Sequence, residues 1–374
     1  MSAYASLARA WGAEVRGWDR VRTPYLDWLE GIEVEISDAP PAAPKGWEVF
    51  VSTAFADRVS GRSRAELLAE LVSLRDSIVV AGAHGKTTTS AMIAFVLSEL
   101  GRDPAWLIGA DVPQLGGNAG TGGGWLVVEG DESDRTVAAL RPRIAVVTNV
   151  DLDHHTTFGS RAEVEALFDE WLVHVPNGVQ GEQLEPYDGA LALAGADNRQ
   201  NAASALAALE LVGIAREDAA PALARFTGAG RRLEPRGEAG GVAVFDDYAH
   251  HPAEIAATLA AARDGGAVLV LFQPHLYSRT RHLARELADA LAAADVVAVA
   301  DVYAAREQPV EGVTGKLVVD ALTERRPGMP VAWTPAFEDG VRFLAPLARP
   351  GDRVLTVGAG DVDHAVPLLL DLLG

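Results

Sequence analysis

At 374 residues the chain is long enough for two or three domains, each with its own core, and its 49 % hydrophobic and 22 % charged content is ordinary for a globular protein. A formal net charge of 32 − 52 = −20 repels polyanions and argues against nucleic-acid binding as a main task. With no cysteine, disulfides and thiolate metal sites are excluded; a reducing cytoplasm is the expected setting, and neither a signal-peptide pattern nor an apolar run near the ~20 residues of a membrane span occurs.

In chain order, "SAYASLARAWG" (2–12) reads as a helix closed by glycine, and "AEVRGWD" (13–19) as a short strand. "DAPPAAPKG" (38–46) is a loop and "RAELLAELVSLRD" (64–76) a helix. "SIVVAG" (77–82) is a buried β-run that feeds a glycine-containing turn and then a helix through "TTSAMIAFVLSELG". "GWLVVEGDESD" (124–134) and "RIAVVTNVDLDHH" (143–155) are strands that end in acids and histidines. "NRQNAASALAALELVG" (198–213) is an Ala-rich helix, followed by a glycine-rich turn near 228–230. A last block alternates again: "GVAVFDDYAHHPAEI", "AVLVLFQPH", "ADVVAVADVY" and "DRVLTVGAGD" are β-runs separated by helical stretches such as 279–294. Strands alternating with helices predict α/β architecture with parallel sheets and ligand sites at the strands' carboxyl ends. The boundaries fall near 76 and 228, giving segments 1–76, 77–227 and 228–374.

The turn "VVAGAHGKTTTSAM" (79–92) resembles a phosphate-binding loop, although the first glycine of G-x-x-x-x-G-K-[ST] is replaced by Val80. Gly82, Ala83, His84 and Gly85 would present backbone N–H groups at a helix N-terminus, where they and the dipole favour phosphate. Lys86 adds a cation for the β- and γ-phosphates, and Thr87 a hydroxyl for Mg²⁺, with Thr88 beside it. Three threonines opening a helix are costly by propensity and call for a local reason. The bland alternative is an ordinary strand–turn–helix connection. Downstream, Glu129, Asp131, Glu132 and Asp134 close one strand and Asp153, His154 and His155 the next. Carboxylate and imidazole at adjacent strand ends can hold a hard cation beside a triphosphate, a solvated acidic loop being the alternative.

The strings "AGAHGKTTT", "VEGDESD", "VTNVDLDHH", "NRQNAASA", "FTGAGRRLE", "DDYAHHPAEI", "LFQPHLYSRT", "DVYAAREQPVEGV" and "GAGD" run in the order found in the Mur ligase family. The chain resembles that family from about 77 to 361, and more weakly from Met1; within it, the branch that joins L-alanine to UDP-N-acetylmuramate is the most similar. The resemblance implies a three-domain α/β architecture: a truncated Rossmann-like domain for the UDP-substrate (1–76), a central P-loop ATPase domain (77–227) and a Rossmann-like domain for the incoming amino acid (228–374). It implies an ATP- and Mg²⁺-dependent ligase of peptidoglycan precursor synthesis, in which the substrate carboxylate attacks the γ-phosphate and the amine then attacks the resulting acyl phosphate. By the same resemblance Lys86 stabilises the migrating phosphoryl group, Thr87 and Glu129 hold one Mg²⁺, and His154 a second. Arg231 reaches the nucleotide phosphates, Asp247 its ribose side, and Asn198 and Asn201 its adenine. Ser133 lies on the substrate side, and Tyr248, His250, His275 and Arg279 shape the alanine pocket, with His250 and Arg279 also counted as catalytic. Trp125 and Trp171 are expected in the core, with His251 capping a helix and Arg232 in a surface salt bridge as their bland readings.

Departures from the family pattern accompany these expectations. The chain begins at Met1, within the family's Gly-rich turn for UDP, so weakened nucleotide-sugar binding is expected. The stretches 49–64 and 155–195 are shorter than in the family, Asp197 stands where the family has His, and Leu276 replaces an arginine of the alanine pocket. A sister ligase that adds a whole peptide to the same nucleotide sugar, and a non-catalytic nucleotide-binding relic, are the competing readings; a monomer or weak homodimer without membrane or nucleic-acid partners is expected.

Overall fold

A computed structural model describes the chain except residues 24, 25, 27, 28, 153–156 and 306. It divides into two compact units, one of 1–193 with 198–229 and one of 230–374 with 194–197.

The first unit opens with helix α1 (Ser2–Ala10), which precedes the short parallel pair β1 (Arg16–Asp19) and β2 (Glu33–Ile36). A second parallel pair, β3 (Phe50–Val51) and β4 (Arg62–Ser63), leads into α2 (Arg64–Leu74). Ser63 starts α2 by a capping box: its hydroxyl accepts from the Glu66 N–H, and the Glu66 carboxylate accepts from the Ser63 N–H. Then come β5 (Ser77–Ala81), α3 (Lys86–Glu99), β6 (Ala105–Leu107), β7 (Ala119–Thr121), β8 (Leu126–Glu129), β9 (Ile144–Val147), α4 (Arg161–Val173), β10 (Asn177–Gln180), α5 (Ala196–Val212) and α6 (Arg216–Leu223).

Six of these strands form one sheet in the order β10-β9-β5-β8-β6-β7, parallel except at β6–β7. Every residue of β5 is buried. Ile78 and Val80 enter a core with α3, α5 and α6, while Val79 and Ala81 face the opposite core, made with Leu7 of α1, Leu68 and Leu71 of α2 and Trp171 of α4. A strand covered on both faces has no alternation, which is why it reads as a continuous apolar run. Residues on both sides of position 76 thus share one core. Trp171 is buried, donating from its indole N–H to the Leu140 carbonyl, and Trp125 packs at the edge of a core under the Arg143 guanidinium.

The second unit contains β11 (Glu234–Ala239), β12 (Val242–Asp247), α7 (Pro252–Ala262), β13 (Val268–Phe272), α8 (Tyr277–Leu291), β14 (Val296–Val299), α9 (Lys316–Arg325), β15 (Val331–Trp333), α10 (Phe337–Leu344), β16 (Arg353–Val357) and α11 (Val366–Leu373). Its sheet runs β11-β12-β16-β13-β14-β15, parallel except at β11–β12.

Both sheets therefore depart from the all-parallel expectation at one edge. The β11–β12 hairpin turns through Gly240 and Gly241 at φ +57° and +77°, the left-handed pair that a two-residue turn requires. Strand β11, "EPRGEA", is largely exposed and carries no period-2 apolar pattern, so only its Gly-Gly turn signals it. The run expected as strand over 143–155 ends at Val147, and the next residues, Thr148 and Asn149, turn their side chains onto the loop after β5. No helix of the described residues is long and apolar enough to cross a membrane.

Helix α3 lies against the sheet with residues 87–97 buried, and Ile93 has no exposed surface. Truncation to Ile93→Ala should lower the unfolding free energy of the first unit by about 2–5 kcal/mol. Urea denaturation followed by tryptophan fluorescence measures this; a loss below about 1 kcal/mol would contradict the packing described.

Candidate active site

The loop after β5 is closed so tightly that its two glycines cannot be replaced. Gly82 has φ +129°, and a Cβ there would stand 2.2 Å from Thr148 Oγ1. Gly85 has φ +79° at the start of α3, and a Cβ there would stand 2.2 Å from Asn201 Oδ1. Asn201, on α5, is 7 % exposed. The end of β9 straps the loop down. Asn149 accepts from the Ala83 N–H through its carbonyl (3.2 Å) and from the His84 N–H through its side chain (2.9 Å), and donates to the His84 carbonyl (2.9 Å). Thr148 Oγ1 also donates to the His84 carbonyl at 2.6 Å. The loop thereby presents the N-terminus of a fourteen-residue helix at the carboxyl end of a central strand, flanked by β9 and β8.

Of the three threonines, Thr87 has a local reason. All of Thr87, Thr88 and Thr89 are buried, and Thr87 Oγ1 donates to Glu129 Oε2 at 2.9 Å. Glu129, the last residue of β8, accepts a second bond from the Gly109 N–H at 2.8 Å. Lys86 Nζ donates to the carbonyls of Gly82 (2.6 Å) and Ala83 (3.1 Å) and to Glu132 Oε1 (3.0 Å). Burial pulls the Lys86 ammonium down, but the carboxylates of Glu132 and Glu129 more than offset this and hold it above the ordinary lysine value. A hydroxyl beside a carboxylate is an oxygen donor set suited to a hard cation, so Thr87 and Glu129 fit a Mg²⁺ accompanying a nucleotide. His154, the expected ligand of a second ion, lies outside the described residues, as do Asp153 and His155. The Ser133 N–H is tied to Asp131 Oδ1 (2.8 Å), and its carbonyl accepts from Thr157 Oγ1 (2.6 Å). Asn198 sits in the first turn of α5, one turn before Asn201.

In the second unit the expected residues gather at the carboxyl ends of β12 and β13. Arg231 and Leu233 have φ +56° and +47°, and a buried carboxylate fixes that turn: Asp247 accepts from the Leu233 N–H (2.6 Å) and the Ala249 N–H (2.7 Å). With one backbone donor on each oxygen, Asp247 organises the loop. The Arg231 guanidinium donates to Asp246 Oδ2 (2.7 Å), the Gly360 carbonyl (2.7 Å) and the Gly358 carbonyl (2.8 Å). Its charge is held inside this unit. Both guanidinium groups lie against the Tyr248 ring, Arg231 at 5.1 Å and the neighbouring Arg232 at 5.6 Å from its centre, and the buried Nε of Arg232 has no hydrogen-bond partner among the described residues. The "GRRLE" string offers no local signal that distinguishes the two arginines.

Around the expected acceptor pocket the rings form a chain. Tyr248 meets His250 edge-on at 5.7 Å, His250 meets His275 at 5.5 Å, and His275 stacks on Tyr303 at 5.8 Å. Arg279 is 4 % exposed and donates from Nη1 to His275 Nδ1 at 3.0 Å, which makes Nδ1 the unprotonated nitrogen. His250 Nδ1 lies 3.0 Å from the Tyr248 carbonyl, and Glu254 accepts from the His250 N–H (3.0 Å) and the His251 N–H (3.3 Å). The His251 backbone is thus capped by Glu254. Tyr303 was missed as a site residue, although "DVYAAREQPVEGV" was one of the strings carrying the resemblance; its bridge to His275 makes the connection.

Burial raises the Asp247 carboxyl to about 6, against the pull of Arg232 and its two N–H donors. The folded chain therefore binds more protons than the unfolded one between about 3.8 and 6, so this group's contribution is full below that window and is lost as pH rises through it. The unfolding free energy of the wild type relative to Asp247→Asn should fall by up to about 3 kcal/mol between pH 4 and pH 7. Urea melts of both proteins across that range measure it, and a pH-independent difference would count against a buried, titrating Asp247.

Two family profiles match the chain: the Mur ligase middle domain over residues 80–180 and the Mur ligase, glutamate ligase domain over residues 231–360. The UDP-N-acetylmuramate–L-alanine ligase of Renibacterium salmoninarum is 40 % identical over a match covering 83 % of this chain and 77 % of that one. The ligase of the same name from Streptomyces coelicolor is 36 % identical, covering 100 % of this chain and 95 % of that one. Among solved structures, UDP-N-acetylmuramate-alanine ligase from Thermotoga maritima shares the fold, with a TM-score of 0.78 at 24 % identity over 99 % of this chain and 96 % of that one. A glycine-held loop at a helix N-terminus beside two carboxylates at the end of β8, and relatives of one kind along the whole chain, lead to the same place: the chain belongs to the Mur ligase family.

Proposed function

We propose that the chain is an ATP-dependent ligase that joins L-alanine to the carboxyl group of UDP-N-acetylmuramate, through an acyl phosphate, in the synthesis of peptidoglycan precursors. The observation that carries this reading is the match of the entire chain, at 36 % identity, to a relative of that name, with the phosphate loop and its acids in place. Residues 1–76 take the nucleotide sugar, 77–227 take ATP, and 228–374 take the amino acid. The reaction consumes ATP and a nucleotide sugar, both cytoplasmic, and the protein works there.

The reaction brings a carboxylate to a triphosphate, so its main obstacle is the meeting of two anions. The N–H groups of Gly85 and Lys86, at the start of α3, bind the phosphates, and Lys86 places its ammonium against the charge that builds on the transferred group. Thr87 and Glu129 hold a Mg²⁺ ion, which supplies further neutralisation when bound, and His154 is assigned to a second. Asn201, packed on Gly85, and Asn198 face the adenine side. Arg231 is assigned to the nucleotide phosphates, and Arg232, against the same Tyr248 ring, adds a second cation beside it. Tyr248, His250, His275 and Arg279, with Tyr303 stacked behind, surround a small amino acid, and the unprotonated His275 Nδ1 is held toward Arg279 rather than toward the amine.

Purified chain given ATP, Mg²⁺, UDP-N-acetylmuramate and L-alanine should release ADP, with the release falling to background when the sugar or the amino acid is omitted. L-Glutamate or a peptide in place of L-alanine should be used poorly, and equal rates would refute the acceptor assignment. Lys86→Ala should keep its fold and lose about 10²–10³ in kcat; normal ADP formation by that variant would overturn the mechanism.

A further inference from the structure

The ammonium of Lys86 has three N–H donors, and the structure accounts for all of them: Gly82 O, Ala83 O and Glu132 Oε1. Two of these acceptors belong to the phosphate loop itself. The third does not. Glu132 lies beyond the end of β8, on the segment that also carries Asp131 and Ser133, and it is only 2 % exposed. A phosphate oxygen can bind Lys86 only by displacing one of the three. Glu132 is the acceptor best suited to leave. Its carboxylate repels the incoming phosphate, and its segment can separate from Lys86 without reshaping the turn that Thr148, Asn149 and Asn201 hold in place.

We infer that Glu132 is a resting partner of Lys86 that competes with the phosphates of the nucleotide for its ammonium, so that the Lys86–Glu132 pair sets how tightly nucleotide is held. This deepens the proposed ATP site and rests on that reading. Glu132 is a positioning residue: it acts through Lys86 and has no assigned contact with substrate. The pair gives a buried lysine and a buried carboxylate a mutual partner while the site is empty, and takes the lysine back when product leaves. The second role implies that weakening the pair retains ADP longer.

Glu132→Gln keeps the shape and the hydrogen bond to Lys86 and removes the competing charge. Calorimetric titration with ADP and with the β,γ-imido analogue of ATP, in Mg²⁺, should show affinity raised about tenfold, equivalent to ~1.4 kcal/mol, with slower ADP dissociation. In a Lys86→Met background the same substitution should give a much smaller gain, from relieved charge repulsion alone, because the competition for the ammonium has been removed. Glu132→Asp, which keeps the charge but withdraws the carboxylate by one methylene, provides a second measure should the Gln variant fail to fold; it should gain about threefold, equivalent to ~0.7 kcal/mol. Loss of packing alone does not tighten binding, so the direction of the change separates competition from mere structural support. Unchanged or weaker binding by a folded variant, or an equal gain in the Lys86→Met background, overturns the inference while leaving the ATP site standing. A wild-type chain that binds neither nucleotide overturns the functional reading and this inference with it.

Discussion

The constraint on which the first unit depends is the absence of room at Gly82 and Gly85. Each glycine has a positive φ, and each faces a polar side chain only 2.2 Å from where a Cβ would be. Those neighbours, Thr148 just after β9 and Asn201 on α5, are distant in sequence from the loop. The loop's shape is therefore imposed by the sheet and by a helix packed on it, not by the loop's own composition. Once the shape is fixed, the backbone donors at the start of α3, the Lys86 ammonium and the Thr87 hydroxyl have one place to go. A loop that binds phosphate without the usual first glycine loses nothing by it, because Val80 is a buried strand residue that contributes to the core instead.

The two units solve a similar electrostatic problem. In each, a cation follows a tight backbone turn at the sheet's carboxyl end and is neutralised by a buried carboxylate: Lys86 with Glu132, Arg231 with Asp246. Their surroundings assign them different roles. Arg231 is bound additionally by two carbonyls of its own unit, and Asp246 is bound by Thr356 Oγ1 as well. Truncating one partner of such a buried pair leaves the other charge uncompensated, which makes it a structural clamp. Lys86 shares its ammonium with the loop that binds phosphate, so its pair must open for the site to work.

Much of this was legible in the sequence because it depends on local patterns. Continuous apolar runs marked β5, β9, β12, β13, β14 and β16, and Gly-Ala-His-Gly-Lys-Thr marked the turn between β5 and α3. Edge elements were less legible. β7 and β11 are short or exposed, so neither carries an apolar period, and their antiparallel pairing follows from turn geometry rather than composition. Partner choice was not legible at all. That Arg231 binds Asp246 depends on a carboxylate lying beneath it, and that Asp247 accepts from two N–H groups depends on positive φ at Leu233. The stacking of His275 on Tyr303 joins two segments that sequence spacing does not relate.

The central claim is that a turn with space for glycine alone creates the nucleotide site. Its most direct test is the affinity of Gly85→Ala for the β,γ-imido analogue of ATP, with far-UV circular dichroism as the check on folding. Only one methyl is added, and no charge or hydrogen-bonding group is removed. A Cβ would clash with Asn201 and take a conformation that alanine disfavours, so the loop must shift and its N–H groups lose their aim. Loss of two charge-assisted hydrogen bonds at ~1.5–3 kcal/mol each predicts a fall of at least a hundredfold in affinity with secondary structure retained. A folded Gly85→Ala chain that binds the analogue as tightly as the wild type would contradict the account.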